Sequence, residues 1–312
     1  MNDNAPLGPG LYTSTMQPWS NDAKGMLFGL AGVAIFSLTL PFTRMAVQGL
    51  DPTFVALGRA LVAALLAGIW LRWRRAPFPP HSSWLPLALV AAGCVIGFPW
   101  LTSIAMQTLP AAHGAVLVGI LPLATALFAA LRGHEKPSNG FWTTALAGSA
   151  LVILFALRQS GGSLQMADIL MLIAVALAAI GYAEGGRLAQ TMGGLAVISW
   201  ALVLSAPLLL PVLLVRLYTH SWSHGLAIAG LGAWIGFAYV SVFSMFIGFV
   251  FWYRGMALGG VARVGQVQLV QPFLSLLGAC VLLGEALAWS TMLFALAVIG
   301  VVALGRKMRV RR

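Results

Sequence analysis

Runs of about 20 apolar residues, parted by short polar or Pro/Gly-rich breaks, follow one another from Lys24 to Lys307. A run of that length crosses a bilayer as a helix. The pattern predicts ten such helices, at roughly 24–48, 53–73, 84–107, 111–131, 140–158, 166–189, 195–217, 228–254, 261–283 and 286–306. The breaks between them are legible as helix stops: Leu50-Asp51-Pro52, Arg74 to Pro80, Gly133 to Asn139, Ser160-Gly161-Gly162, Gly193-Gly194, Tyr218 to Gly225, and Gly259-Gly260.

Composition agrees with this pattern. Hydrophobic residues make up 60% of the chain and charged residues only 8%, against about 25% charged in a soluble domain. The first 23 residues are polar, with no basic stretch leading into an apolar core, so they read as a disordered cytoplasmic tail rather than a signal peptide. Cys94 and Cys280 both fall in apolar runs, where cysteine packs as a small core residue, and no metal site or cofactor is expected.

The net charge of +11 does not imply a nucleic-acid partner, because the basic residues lie in short loops and in the C-terminal RKMRVRR. With the N-terminus inside, only Arg44, Arg59, Arg158 and Arg216 of the 18 Lys and Arg residues fall on the far side. The positive-inside rule then puts both termini in the cytoplasm. Arg44 and Arg59 are expected to extend outward beside Asp51.

The polar positions inside the runs are few and patterned. In QLVQPFLSLLGA, Gln268, Gln271 and Ser275 recur at i, i+3 and i+7, one face of a helix, with Pro272 among them. Shifting the second half back by 150 positions lays this stretch on VGILPLATALFA, with Pro272 on Pro122, Glu285 on Glu135 and Met256 on Met106. Coincident Pro and Glu carry the match, since both are rare in lipid. The chain therefore reads as two five-helix repeats, 24–158 and 159–307, followed by a basic tail at 308–312. Five being odd, the repeats enter the membrane in opposite directions, an arrangement that recurs in secondary transporters with the substrate site between the repeats. The expected fold is an all-α integral membrane protein of ten transmembrane helices in two inverted repeats around a central cavity.

The carriers of that match, Pro272…Leu283-Gly284-Glu285 then Ile299-Gly300-Val301, and Pro122…Gly133-His134-Glu135 then Gly148, resemble the EamA-type drug/metabolite transporters over about residues 24–307. Within that superfamily the chain looks most like the aromatic amino-acid exporter branch. The resemblance implies ten helices, a central cavity, and export of small metabolites from the bacterial cytoplasm.

Candidate substrate contacts are Gln268, Gln271 and Ser275 of the ninth helix, Phe98, Trp100 and Thr102 of the third, His113 of the fourth, Tyr182 of the sixth, and Tyr239 and Ser244 of the eighth. Rings in a wet cavity can stack on an apolar or aromatic substrate. Trp252 and Tyr253, beside Arg254, are expected in the interfacial belt. Pro41, Pro99, Pro122 and Pro272 are expected to kink their helices and act as hinges, tolerable where the freed backbone faces protein or water. Ser37 and Thr39 would satisfy carbonyls freed by Pro41. Gly25/Gly29, Gly93/Gly97, Gly181/Gly185 and Gly232/Gly236 have the GxxxG spacing of close helix contacts.

The seven acids are Asp3, Asp22, Asp51, Glu135, Asp168, Glu184 and Glu285, and all but Glu184 lie in the tail or at helix ends. Small exporters of cationic drugs use a carboxylate in the first helix, and this first helix has none. A neutral or zwitterionic amino acid or similar metabolite, moving down its own gradient by alternating access, fits better. Proton coupling through Glu184 or His113, as in a drug/metabolite antiporter, is the rival. An intramembrane enzyme is a rival of another class, but no paired acids or HExxH motif supports it. A channel would need rings of charge that the runs lack. The expected partners are a small-molecule substrate and the lipid bilayer, with the chain a monomer or weak homodimer.

Overall fold

The computed structural model describes residues 20–132, 136–159, 161–219, 229–260, 264–307 and 310–311. Among them, eight helical segments are long and apolar enough to cross a membrane: α1 (Asn21–Val47), α2 (Pro52–Trp73), α3 (His81–Ala105), α4 (Ala111–Arg132), α5 (Trp142–Gln159), α6 (Met166–Met192), α7 (Gly194–Thr219) and α8 (Leu231–Gly259). Two shorter apolar helices follow, α9 (Val267–Leu283) and α10 (Trp289–Leu304). The large apolar side chains left exposed, among them Leu65, Ile69, Leu208, Val215, Leu277 and Val281, are what a lipid-facing surface requires. This is a multi-pass membrane protein.

Several helix ends move from the sequence reading. Asn21 to Ala23, read as tail, form the first turn of α1, because the Ser20 hydroxyl accepts the Ala23 N–H at 3.2 Å. The rest of the tail up to residue 19 lies outside the described residues, as do His134, Glu135, Arg263, Met308, Arg309 and Arg312. Val310-Arg311 form a two-residue antiparallel pair with Lys136-Pro137, so part of the basic tail is tied to the α4–α5 connection.

Five of the helices are interrupted, four of them at or beside a proline. α1 breaks at Leu38 between Asn21–Ser37 and Thr39–Val47. Pro41 has no N–H to offer the Ser37 carbonyl four residues back. α3 runs through a wide π-helical stretch, Ala91–Gly97, before resuming as regular helix at Phe98-Pro99. α8 has a matching π stretch, Tyr239–Ile247, and resumes at Gly248. α4 pauses after Val118 and restarts at Leu121-Pro122. α9 opens as a 3₁₀ segment, Gly265–Val270, and becomes regular at Gln271-Pro272. Both of these prolines stand at the first positions of a helical segment, where no N–H is needed. The restarts at Phe98 and Gly248 and at Leu121 and Gln271 are each 150 residues apart, the spacing of Pro122 and Pro272.

The principal packing pairs are α1 on α8, α3 on α6, α2 on α7, α4 on α9 and α5 on α10, with α4 also on α6 and α1 also on α9. Exchanging α1–α5 with α6–α10 maps this set of pairs onto itself. One close crossing is α1 on α8, where Gly25 and Gly29 face Gly255 and Gly259. The α3–α6 crossing uses Gly93 against the Leu177–Gly181 backbone. Three of the four sequence-read glycine pairs thus mark tight contacts, since Gly236 also lies against the α1 backbone at Phe42 and Ala46, although Gly232 of that pair meets only Met45 at 3.9 Å.

Candidate functional site

The breaks in α1, α3, α4, α8 and α9 surround one central cavity. Its wall comprises Phe36, Thr39, Leu40, Arg59, Cys94, Phe98, Pro99, Val118 and Leu121 from α1–α4, and Ala178, Tyr182, Ser244, Phe249, Gln271 and Ser275 from α6, α8 and α9. An interrupted helix is what brings backbone and side-chain polarity to such a place, since irregular backbone at membrane depth is tolerated only against protein or a wet space. The cavity admits about 20 Å³ of water-sized volume, close to what one ordered water occupies.

The cavity wall combines an aromatic cluster with polar groups. Phe36 lies 6.2 Å from Tyr182 in a stacked arrangement and 4.9 Å from Phe249 edge-on, and Tyr182 is 6.0 Å from Phe249. Among the polar lining groups, the Thr39 and Ser244 hydroxyls are 2.8 Å apart. Arg59 Nη2 donates to Ser244 Oγ at 2.9 Å. Gln271 and Ser275 complete the polar lining.

Of the sequence-read contacts, Gln271, Ser275, Phe98, Tyr182 and Ser244 line this cavity. Gln268 does not. The 3₁₀ segment before Gln271 turns it off the face it would share with Gln271 and Ser275 in a continuous α-helix. It is buried, with no hydrogen-bond partner for Nε2 or Oε1 among the described residues. Thr102 is consumed locally, donating to the Phe98 and Pro99 carbonyls at 2.6 and 3.2 Å and so relieving the proline break. Trp100 is half-buried outside the lining. Tyr239 stacks on Phe42 at 4.0 Å and donates to the Ile35 carbonyl at 2.9 Å, just before the α1 break. Of the prolines, Pro99 lines the cavity, while Pro41, Pro122 and Pro272 sit at the breaks beside it.

His113 lies elsewhere. It is buried, with Nε2 2.8 Å from Asp168 Oδ1 and its ring 4.9 Å from Phe155. It borders a second, polar pocket of about 410 Å³ together with Thr108, Gln159, Gln165, Glu285 and Thr291. There Glu285 accepts the backbone N–H groups of Ala111 and Ala112 at 2.8 Å each, capping α4, and lies 3.5 Å from Arg44 Nε. Arg44 also donates to the Met106 and Leu109 carbonyls. These contacts tie the ends of α1, α3, α4 and α9 together. Glu184 is buried and held by Arg132 at 2.6 Å and Arg187 at 2.7 Å. It is clamped by two cations and lies outside the central cavity.

Four readings change. Arg59 does not extend outward beside Asp51: it is 2% exposed and faces the cavity. Arg44 turns to Glu285 and two carbonyls rather than to Asp51. Thr39 serves the cavity, leaving Ser37 alone to back-bond, to Val33 at 2.7 Å. Trp252 and Tyr253 are fully buried rather than interfacial. Tyr253 fits over Gly185 and donates to the Gly181 carbonyl at 3.2 Å, and Trp252 packs on Tyr182 at 5.6 Å. The missed signal for Arg59 is its depth. It lies seven residues past Pro52, about 10 Å along a helix about 33 Å long.

Among the described residues no group of three or more His, Cys, Asp or Glu side chains is arranged to hold a metal. The chain matches the family model described as the EamA-like transporter family twice, over residues 23–157 and 165–305. It is 49% identical over 285 residues to the "Uncharacterized transporter YdeK" of Bacillus subtilis (strain 168), covering 91% of this chain and 97% of that one. A solved structure described only as "Crystal structure of protein" superposes with a TM-score of 0.62 at 17% identity, over 91% of this chain and 96% of that one, a likeness of fold alone.

Proposed function

The chain belongs to the EamA-like transporter family, and from that premise we propose that this membrane transporter exports small metabolites, amino acids foremost, through its central cavity by alternating access. The carrying observation is that the cavity wall is drawn from both family-matched segments, with Thr39 of the first bonded to Ser244 of the second. A site on that seam can be uncovered from either side by rocking one half against the other. The 150-residue recurrence of helix restarts and the exchange symmetry of the packing pairs support two inverted five-helix halves, with α9 and α10 completing ten spans. The rings, hydroxyls and amide of the wall suit an amphipathic substrate, aromatic amino acids included. Facilitated movement is favoured because the cavity wall holds no carboxylate or histidine to carry a proton.

The test is uptake by purified protein in liposomes across a panel of labelled amino acids, with and without a pH gradient. Saturable uptake of at least one neutral amino acid, unchanged by the gradient, is expected. Gln271→Leu should lower its initial rate several-fold at equal incorporation. Strict dependence on the gradient would replace this reading with the proton-coupled one, for which the His113–Asp168 pair is the specific candidate. No uptake of any panel member would sink the amino-acid assignment.

A further inference from the structure

We propose that Arg59 is the counter-charge for a carboxylate on the transported molecule, so that the substrate class is a monocarboxylate with an apolar or aromatic body. This rests on the transport reading above and sharpens it. Arg59 is 98% buried, since its exposure is 2%, and it lines the central cavity. Its single hydrogen bond to a side chain is the one from Nη2 to Ser244, at 2.9 Å. Nε and Nη1 have no hydrogen-bond partner among the described residues. A guanidinium stays charged under nearly all conditions and carries five N–H donors in a rigid fork. A buried charge without a partner is strongly disfavoured, so its persistence in a cavity calls for an anion that comes and goes.

Among the described residues, no salt bridge joins Arg59 to an acid. Asp51 is occupied by the Thr53 and Phe54 N–H groups, Glu184 by two arginines, and Glu285 by Arg44 and the start of α4. Asp168 stands against His113, bordering the other pocket. The cavity wall itself carries no acid.

The surroundings narrow the ligand further. Arg59 is the one cation in the cavity wall, matched to a single negative charge rather than to a phosphate dianion. Phe36, Phe98, Tyr182 and Phe249 provide the apolar surface against which a hydrocarbon or ring would lie. An α-ammonium group, if the ligand has one, would find side-chain acceptors in the hydroxyls of Thr39, Tyr182, Ser244 and Ser275 and the carbonyl of Gln271. The carboxylate is thus the required feature, and an amino acid and its des-amino acid share it.

Thermal melting of the purified full-length protein in detergent tests this without any transport assay, because a ligand that binds the folded state raises Tm. The probes are phenylalanine, 3-phenylpropanoate, phenylalaninamide and phenethylamine. Phenylalanine or 3-phenylpropanoate should raise the wild-type Tm, while the amide and the amine should not. A response to both acids assigns the site to carboxylates in general, and a response to phenylalanine alone assigns it to amino acids. Arg59→Met should melt no lower than the wild type without ligand and lose about tenfold or more in affinity for the acid, the scale of a charge-assisted contact. Arg59→Lys should recover part of that loss. Equal shifts from acid and amide, no shift from either acid, or an undiminished acid response in Arg59→Met would overturn the proposal. The wild-type comparison of acid with amide decides the matter even should Arg59→Met not fold. Acid binding without liposomal uptake would instead sink the transport reading and leave the carboxylate site standing.

Discussion

Arg59 and Gln268 are both polar side chains buried in apolar helices, and they are held there on different terms. Arg59 lines the central cavity, with a hydroxyl partner in Ser244 and two donors, Nε and Nη1, unpaired among the described residues. Gln268 is buried outside that lining, and its amide has no partner among the described residues. An amide left in that state costs about 1–3 kcal/mol of desolvation. Replacing Gln268 by Leu, close in size and apolar, should therefore raise Tm, by about 1 kcal/mol of stability or more, and leave liposomal uptake at the wild-type rate. A melt of Gln268→Leu beside its uptake rate checks both halves of that expectation. Gln271, three residues on, is expected to behave in the opposite way, since it lines the cavity.

At the scale of elements, the helices approach where glycine allows it. A Cβ on Gly25 would lie 2.5 Å from the Gly259 nitrogen and 2.7 Å from its Cα. One on Gly255 would lie 2.7 Å from the Gly29 nitrogen. Both obstacles are backbone, so neither can swing aside, and α1 would have to move away from α8. Gly25→Ala and Gly255→Ala should each destabilise by about 1–3 kcal/mol, the usual cost of overpacking. Gly232→Ala meets only Met45 Cγ at 3.9 Å and should be nearly neutral. Melting curves of the three variants separate real crossings from mere GxxxG spacing. The interruptions are the other element-scale device. Pro41, Pro99, Pro122 and Pro272 are plain in the sequence, and three of the breaks follow from missing N–H groups. The π stretch in α8 has no proline to announce it, and the 3₁₀ segment that turns Gln268 aside precedes its proline rather than following it.

Across the whole molecule, the ion-paired side chains gather in clusters away from the central cavity, with Arg59 the exception among the described charges. Arg132, Arg187 and Glu184 form one cluster, and Arg44, Glu285 and the start of α4 form another. The excess of Lys and Arg on the side of the termini predicts its own readout. A green fluorescent protein fused to the C-terminus should fluoresce in intact bacteria, whereas alkaline phosphatase fused at the same point should be inactive. The opposite pair of results would reverse the orientation and turn the proposed exporter's sides around.

Hydropathy by itself determined that this chain lives in a bilayer, roughly where its helices run, and where they break, because a backbone in hydrocarbon has few ways to satisfy its N–H and C=O groups. The internal match of Pro122 with Pro272, and the likeness of both stretches to a transporter family, were equally legible, since each depends on residue identity along one strand of text. The cavity was legible only in part. Gln271, Ser275, Phe98, Tyr182 and Ser244 could be named as polar or aromatic groups in oily runs, whereas Gln268 and Thr102 have the same signature and other fates. Only the tertiary structure decided that Arg59 turns inward, that Thr39 meets Ser244 from 205 residues away, and that Trp252 and Tyr253 are core. Those outcomes depend on which helix faces which, and a sequence records the period of a helix but not the neighbour its polar face will find.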